Sequence, residues 1–135
     1  MKRGLYCSLT LFIVACCLPA LEWHKAGQPN DMMYGLRALT VGWSGIFAGV
    51  IAWYANPVWV FGLFFGALRK PVLAAISGVI ALAIALMTFT YVGLELPGDE
   101  GGVTKTAIVR LLPGFYCWIG SMVAMIVAAM LPRTK

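Results

Sequence analysis

Charged residues are scarce in this chain. Only 11% of its 135 residues are Asp, Glu, Lys or Arg, whereas 61% are hydrophobic. Soluble domains carry about 25% charged and about 45–50% apolar residues. The composition therefore effectively excludes a water-soluble monomer. It also excludes a disordered chain, which needs low hydrophobicity and a high net charge.

Acidic residues are the rarer charge, since five Asp and Glu stand against ten Lys and Arg, which gives a net charge of +5. In a soluble protein this excess would point to a nucleic-acid surface. In a membrane protein the basic residues instead report which segments face the cytoplasm. We therefore predict no nucleic-acid partner and use the charges to assign topology.

Four long stretches of the chain, each of 18 residues or more, contain no charged residue. A helix needs roughly 20 residues to cross about 30 Å of hydrocarbon at 1.5 Å per residue. The first, third and fourth stretches each fit one helix, whereas the second, at 31 residues, is too long for one span and too short for two. The stretches are residues 4–21, 38–68, 71–94 and 111–132.

The long second stretch is interrupted by Asn56 and Pro57. Proline cannot continue the helical hydrogen-bond ladder, and it disfavours helical geometry in the residue before it. We therefore predict a second span over residues 38–55 and a short interfacial or re-entrant helix over residues 57–68. One long tilted helix kinked at Pro57 is the alternative. Asn56 is interpreted as a cap for the helix that follows.

The predicted fold class is an all-α integral membrane protein with four transmembrane helices and this extra short helix, forming one domain over residues 1–135. With both termini in the cytoplasm, the inner segments carry six basic residues and no acidic one, and the outer loops carry four basic and five acidic residues. This distribution obeys the positive-inside rule and predicts a multi-pass protein of a bacterial plasma membrane. The expected spans are residues 4–21, 38–55, 71–94 and 112–131, and the outer loops are residues 22–37 and 95–111.

The first apolar stretch also has features of a signal peptide. Lys2 and Arg3 precede it, and Ile-Val-Ala-Cys at residues 13–16 resembles a lipoprotein cleavage site, so processing at Cys16 is an alternative. The apolar run continues to Leu21, which is longer than a typical signal core and favours a retained span.

The four cysteines lie in predicted membrane segments, which argues against a disulfide framework. Cys16 and Cys17 form a vicinal pair, and such thiols can hold soft metal ions. Residues 15–19 are similar to the first span of bacterial mercury-transport proteins, although nothing equivalent to the second cysteine pair of those proteins is present. Small packing residues are the simpler interpretation, so we predict no metal site and no cofactor.

The predicted outer loops offer few groups for chemistry. Trp23 and the only histidine, His24, lie in the first loop, and Asp99 and Glu100 lie in the second. A metal site needs three or four converging ligands, and no recognisable spacing supplies them here. We interpret these four residues as candidates for contact with something outside the membrane.

Small residues recur four positions apart, which places them on one helix face and lets helices approach closely in lipid. We interpret these stripes as packing faces within the bundle or with a partner, including a second copy of the chain. No charged residue lies mid-membrane, in contrast to ion pathways and coupled transporters. The stripes comprise Gly45 and Gly49, Gly62 and Gly66, and Gly120 and Ala124.

The element Trp-Tyr-Ala-Asn-Pro at residues 53–57 is the most specific of several short elements. The others are Leu-Pro-Ala-Leu at 18–21, Gly-Trp-x-Gly at 42–45 and Gly-Phe-Tyr-Cys-Trp-x-x-Ser at 114–121. Together they resemble a family of small four-span bacterial inner-membrane proteins of unknown function. The resemblance covers nearly the whole chain and implies an architecture without implying an activity.

These observations predict a non-enzymatic membrane protein that acts by binding another protein in or at the membrane, as an accessory subunit or as an immunity or exclusion factor. The expected partners are membrane lipid and either another membrane protein or the chain itself. The alternative is a small permeation protein or soft-metal carrier that uses Cys16 and Cys17. An enzyme with chemistry around Glu22 and His24 is the least favoured hypothesis, because the sequence contains no recognisable catalytic set.

Overall fold

The computed structural model describes residues 2–97 and 104–131, and in these ranges it combines helices with one antiparallel sheet. The helices are α1 (Lys2–Cys17), α2 (Gly35–Val41), α3 (Ala55–Ala67), α4 (Pro71–Leu86), α5 (Thr88–Tyr91) and α6 (Pro113–Met130). Two 3-10 helices, Gly42–Ala48 and Ala52–Tyr54, lie between α2 and α3. The strands are β1 (Pro19–Lys25), β2 (Asp31–Tyr34), β3 (Glu95–Pro97) and β4 (Lys105–Leu111).

The sheet joins the two segments predicted to be outer loops. Its strand order is β2-β1-β4-β3, and all neighbouring strands are antiparallel. Trp23 on β1 pairs with Asp31 on one side and with Ile108 on the other. β4 reads Lys-Thr-Ala-Ile-Val-Arg-Leu, and its β-branched residues favour a pleated strand. The described parts of residues 22–37 and 95–111 therefore form strands and the start of α2, whereas loops were expected.

The all-α prediction is wrong because of this sheet. The first apolar stretch is divided between two kinds of structure: α1 ends at Cys17 and β1 begins at Pro19. A proline lacks the backbone N–H that a continuing helix needs, so the predicted span over residues 4–21 ends early. Counting charge-free residues detects apolar segments, but it does not separate helix from strand.

The prediction of four transmembrane helices is also wrong. Within the described residues two helices are long and apolar enough to cross a membrane, Pro71–Tyr91, which joins α4 and α5, and Pro113–Met130. α1 has 16 residues and α3 has 13, which corresponds to about 24 and about 20 Å, short of the roughly 30 Å of a hydrocarbon core.

Residues 38–55 contain no long helix. The segment forms the end of α2 and then the two 3-10 helices. Gly49 has a φ of +76° and ends the first of them in the left-handed region, which favours glycine because it has no Cβ. The glycine-rich sequence therefore turns repeatedly instead of crossing as one helix. The short helix expected at residues 57–68 is present as α3, which begins slightly earlier, at Ala55.

The helices pack through small and flexible side chains. α6 packs against α1 and α4, and α4 also packs against α3. Alanine lines much of the interior because its short side chain lets helix backbones approach closely. The buried cluster at the centre comprises Ala55, Trp59, Ala81, Ala85, Met122 and Met125.

The acidic residues of the described chain all lie at one end of these helices. Gly4 near the start of α1 lies against Ala128 near the end of α6, and Leu5 lies against Gly66 near the end of α3. These ends therefore lie together, and the charged residues next to them are all basic. The sheet is at the other end of α1 and α6, where both signs of charge are present. The end away from the sheet carries Lys2, Arg3, Arg69 and Lys70, and the sheet end carries Glu22, Asp31 and Glu95 together with Lys25, Arg37, Lys105 and Arg110.

Candidate functional site

Asn56 links the start of α3 to the helix α6. Its Nδ2 donates to the carbonyl of Trp53 at 2.9 Å, and its Oδ1 accepts from Nε1 of Trp118 at 2.8 Å. The residue at the N-cap of α3 is Tyr54, which makes no side-chain capping bond. Asn56 thus lies in the first turn of α3, where its side chain connects the backbone at Trp53 to the indole of Trp118 on α6. Pro57 follows it in the same turn, where a missing N–H is tolerated.

A cavity of about 170 Å³ lies beside Asn56, between the sheet and the helix ends nearest to it. Side chains from nearly every element contribute to its wall, and those from the strands are Ala20, Leu21, Met33 and Ile108. The wall is mostly apolar and aromatic. Among the described residues that line it there is no Asp, Glu, Lys, Arg or His.

Tyr91 and Trp53 are polar members of the cavity wall, and both are hydrogen-bonded. The hydroxyl of Tyr91 donates to the carbonyl of Gly49 at 3.2 Å and accepts from the backbone N–H of Ile51 at 3.4 Å. The indole N–H of Trp53 donates to the carbonyl of Leu39 at 2.7 Å. These bonds fasten the 3-10 segment to the rest of the wall.

Thr88 is the exception in this wall. It is 6% exposed, and its Oγ1 has no hydrogen-bond partner among the described residues. Most buried polar side-chain atoms are hydrogen-bonded, so one that is not calls for an explanation.

His24 and Glu22 lie on the solvent side of the sheet, connected through Asn30. Nδ1 of His24 is 2.9 Å from Oδ1 of Asn30, whose Nδ2 donates to Glu22 at 3.0 Å. Nε of Arg110 on β4 also donates to Glu22. The hydrogen bonds from Asn30 and from Arg110 lower the pKa of Glu22 below its usual range. This carboxyl is thus held ionised, which does not suit a general acid at neutral pH.

Trp23 and Asp31 form a separate group. The guanidinium of Arg37 lies 5.8 Å from the centre of the Trp23 ring, within cation–π range, and Arg37 contacts Asp31 at 3.5 Å. Nε1 of Trp23 is buried and lacks a partner within the described part of the chain. Asp31 therefore pairs with Arg37 and not with the His24 group. Within residues 2–97 and 104–131, no set of three His, Cys, Asp or Glu could hold a metal ion.

Glu95 and Lys105 form an ion pair at 2.5 Å across β3 and β4. The hydrogen bond from Lys105 and its charge lower the pKa of Glu95, and the same contact raises the pKa of Lys105. Both side chains are more than 60% exposed, so this pair contributes little to stability. Asp99 and Glu100, predicted to be contact residues, lie outside the described residues.

The small-residue stripes have different surroundings. A Cβ on Gly62 would meet Met125 of α6, one on Gly66 would meet Leu5 of α1, and Gly120 has Leu11 at 3.8 Å. Ala124 is half-buried on α6. Gly45 and Gly49 lie within and at the end of a 3-10 helix, so they do not form an α-helical face.

The two neighbouring cysteines point to different surroundings. Cys16 lines the cavity and is half-buried, whereas Cys17 is exposed. Consecutive residues on a helix diverge by about 100°, so the pair does not form one shared pocket.

Compared with protein-family models, curated protein sequences and solved structures, the chain gives no match. Its function has to be inferred from its own geometry. The cavity is the feature that the sequence did not reveal, and Tyr91 in its wall stood in an apolar run with no distinguishing motif. Thr88 likewise lies in this apolar run, with no motif that marks its hydroxyl.

Proposed function

We propose that this chain is a non-enzymatic protein of a bacterial plasma membrane, with both termini in the cytoplasm, that acts by binding another protein through strand β2. The helices lie in lipid, the sheet lies outside it, and the free edge of the sheet receives the partner.

The apolar outer surface of the helices supports a lipid environment. In α4 the buried residues are small, whereas the exposed ones are large and apolar. In water this arrangement would leave a continuous hydrophobic surface, but in lipid it favours close helix packing. The buried residues are Ala74, Ser77, Gly78, Ala81 and Ala85, and the exposed ones include Val72, Ile76, Val79 and Ile80.

The distribution of charge supports the orientation. Lys2, Arg3, Arg69 and Lys70 lie at the end of the helices away from the sheet, with no acidic residue among the described residues there, and basic residues favour the cytoplasmic side. The sheet end, where acidic and basic residues are mixed, would then face outward.

The observation that carries the binding role is the outer edge of β2. In the described structure β2 pairs with β1 on one side only. Met33 lines the cavity, whereas its neighbours Met32 and Tyr34 are more than half exposed. An unpaired edge with apolar side chains can accept a strand from another chain.

The opposite edge of the sheet is better protected. β3 has only three residues and ends at Pro97, which lacks a backbone donor. The ion pair of Glu95 with Lys105 also places charge beside it. Charge, proline and short strands are the usual means of preventing edge pairing. Both edge strands are short and both carry an ion pair, so Pro97 is the feature that distinguishes β3, and the partner is expected at β2.

Site-specific photo-crosslinking in intact cells tests the proposal. A photoreactive residue at Met32 should form a protein adduct of defined mass, and an adduct of twice the chain mass would identify a second copy as the partner. Val79 is the matched control, because its exposure is 54% against 53% for Met32, and it should yield lipid adducts only. Tyr34→Lys should abolish the Met32 adduct. Lipid adducts alone at Met32, or the same protein adducts at both positions, would contradict the proposal.

A further inference from the structure

The cavity between the sheet and the helix ends is large enough for a small organic molecule. An engineered cavity of about 150 Å³ with an apolar lining stays dry and binds benzene, and the volume here is about 170 Å³. The available space therefore suits one ring or a short branched chain, not a nucleotide or a peptide.

The lining selects against charge. No Asp, Glu, Lys, Arg or His is present among the described residues of the wall, and an uncompensated charge in such a site is costly. Ala15, Phe12, Phe115 and Trp118 are among the apolar residues of the wall. A ligand that gains from this wall is uncharged and predominantly apolar.

Thr88 belongs to the cavity wall, and its Oγ1 is a buried polar atom without a partner among the described residues. Asn56, Tyr91 and Trp53 in the same wall already have partners, whereas Oγ1 of Thr88 has none in the described chain. A single water would gain little here, because a buried water needs two to four polar partners. The hydroxyl can donate to a carbonyl or exchange a bond with another hydroxyl.

The neighbourhood of the cavity indicates how a ligand arrives. Gly42 and Val50 of its wall belong to the 3-10 region, whose Trp43 and Phe47 are exposed. Exposed aromatic residues favour the membrane interface. A molecule dissolved in the membrane would thus meet this side of the cavity.

We propose that the cavity is a binding site for a small, uncharged, lipid-soluble molecule that carries one hydroxyl or carbonyl group, and that this group pairs with Thr88. Met33 of β2 lines the cavity, whereas Met32 and Tyr34, which define the docking edge, do not, so protein crosslinking at Met32 and ligand binding in the cavity are measured separately.

Binding of 4-fluorophenol to the purified full chain in detergent micelles tests the site, followed by fluorine NMR with empty micelles as the blank. Fluorobenzene lacks the hydroxyl, and 4-fluorobenzoate carries a charge. We expect saturable binding of the phenol, up to about tenfold weaker binding of fluorobenzene for the loss of one hydrogen bond, and no binding of the benzoate.

Two Thr88 variants distinguish the effect of the hydroxyl on binding from the effect of the cavity volume. Thr88→Val keeps the shape and removes the hydroxyl, so it should bind both neutral probes equally. Thr88→Ser should keep the preference for the phenol. Ala38→Leu, which fills the cavity from α2, should abolish both, and circular dichroism checks that each variant is folded. Uptake of 4-fluorophenol no greater than that of empty micelles would overturn the proposal, as would an unchanged preference of Thr88→Val for the phenol over fluorobenzene. The two Thr88 variants decide the question even if Ala38→Leu does not fold.

Discussion

The indole of Trp59 on α3 donates a hydrogen bond to the hydroxyl of Ser8 on α1 at 3.1 Å. Ser8 in turn donates to the carbonyl of Ser121 on α6 at 2.6 Å. Ser8 and Ser121 are fully buried, Trp59 is 2% exposed, and Phe12 stacks on the indole at 4.2 Å. One small hydroxyl therefore connects three helices.

Ser8→Ala should destabilise the protein by about 1–3 kcal/mol, because it leaves the buried N–H of Trp59 without a partner. Thermal unfolding in detergent micelles, followed by circular dichroism, measures the loss. Trp59→Phe removes the orphaned donor, so Ser8→Ala should cost clearly less in that background. Equal costs in the two backgrounds would show that the hydrogen bond does not couple the two residues.

Asn56→Ala should have an effect of similar size, about 1–3 kcal/mol, because Trp118 loses its buried acceptor. Asn56→Asp keeps an acceptor but cannot donate to the carbonyl of Trp53, and it places a charge in a site that is 8% exposed. We therefore expect it to be at least as destabilising at neutral pH. Urea unfolding monitored by tryptophan fluorescence measures both. Trp118→Phe is the control background, and an undiminished effect of Asn56→Ala there would exclude this hydrogen bond as the cause.

Gly35→Ala should disturb the junction of β2 and α2 with α1. A Cβ at Gly35 would lie 2.1 Å from the carbonyl oxygen of Ala15 and 2.9 Å from Cα of Cys16. These are backbone atoms, so the segments must separate, at a cost of about 1–3 kcal/mol.

Gly120→Ala is the matched control for this substitution. The nearest atom to its Cβ is Leu11 Cδ1 at 3.8 Å, an ordinary contact, and alanine is favoured over glycine inside a helix by up to about 1 kcal/mol. The two variants should therefore shift the thermal midpoint in opposite directions. A midpoint of Gly35→Ala equal to the unsubstituted protein would contradict the close approach.

Whether an element could be predicted from the sequence depends on whether its hydrogen bonds are local. Pro71 and Pro113 begin helices that continue through uninterrupted apolar runs, and such runs are visible in the sequence because helical hydrogen bonds are local. The pairing of Trp23 with Ile108 is not local. A strand in this sheet exists only because a distant segment completes its hydrogen bonds, and no pattern within residues 22–37 specifies that partner.

The cavity was unpredictable for the same reason. Thr88, Met33 and Ile108 come from three different elements, and only the fold brings them to one wall. Asn56 was interpreted as a cap for the helix that follows it, whereas its bond to Trp118 depends on the packing of α3 against α6. Sequence reasoning identified unusual residues here and not the contacts that give them a role.

The sheet should lose stability in acid because of Glu22. Hydrogen bonds from Asn30 and Arg110 lower its pKa in the folded protein, so folding favours the ionised form. This contribution is present above the unfolded pKa of about 4.5 and is lost as the pH falls through the lower folded value. The thermal midpoint in micelles, measured from pH 7 to pH 3, should therefore fall most steeply below about pH 4.5. Glu95 shares this direction, so Glu95→Gln is the background in which Glu22→Gln is compared. A fall of the same steepness with and without Glu22 would assign the acid sensitivity to other groups.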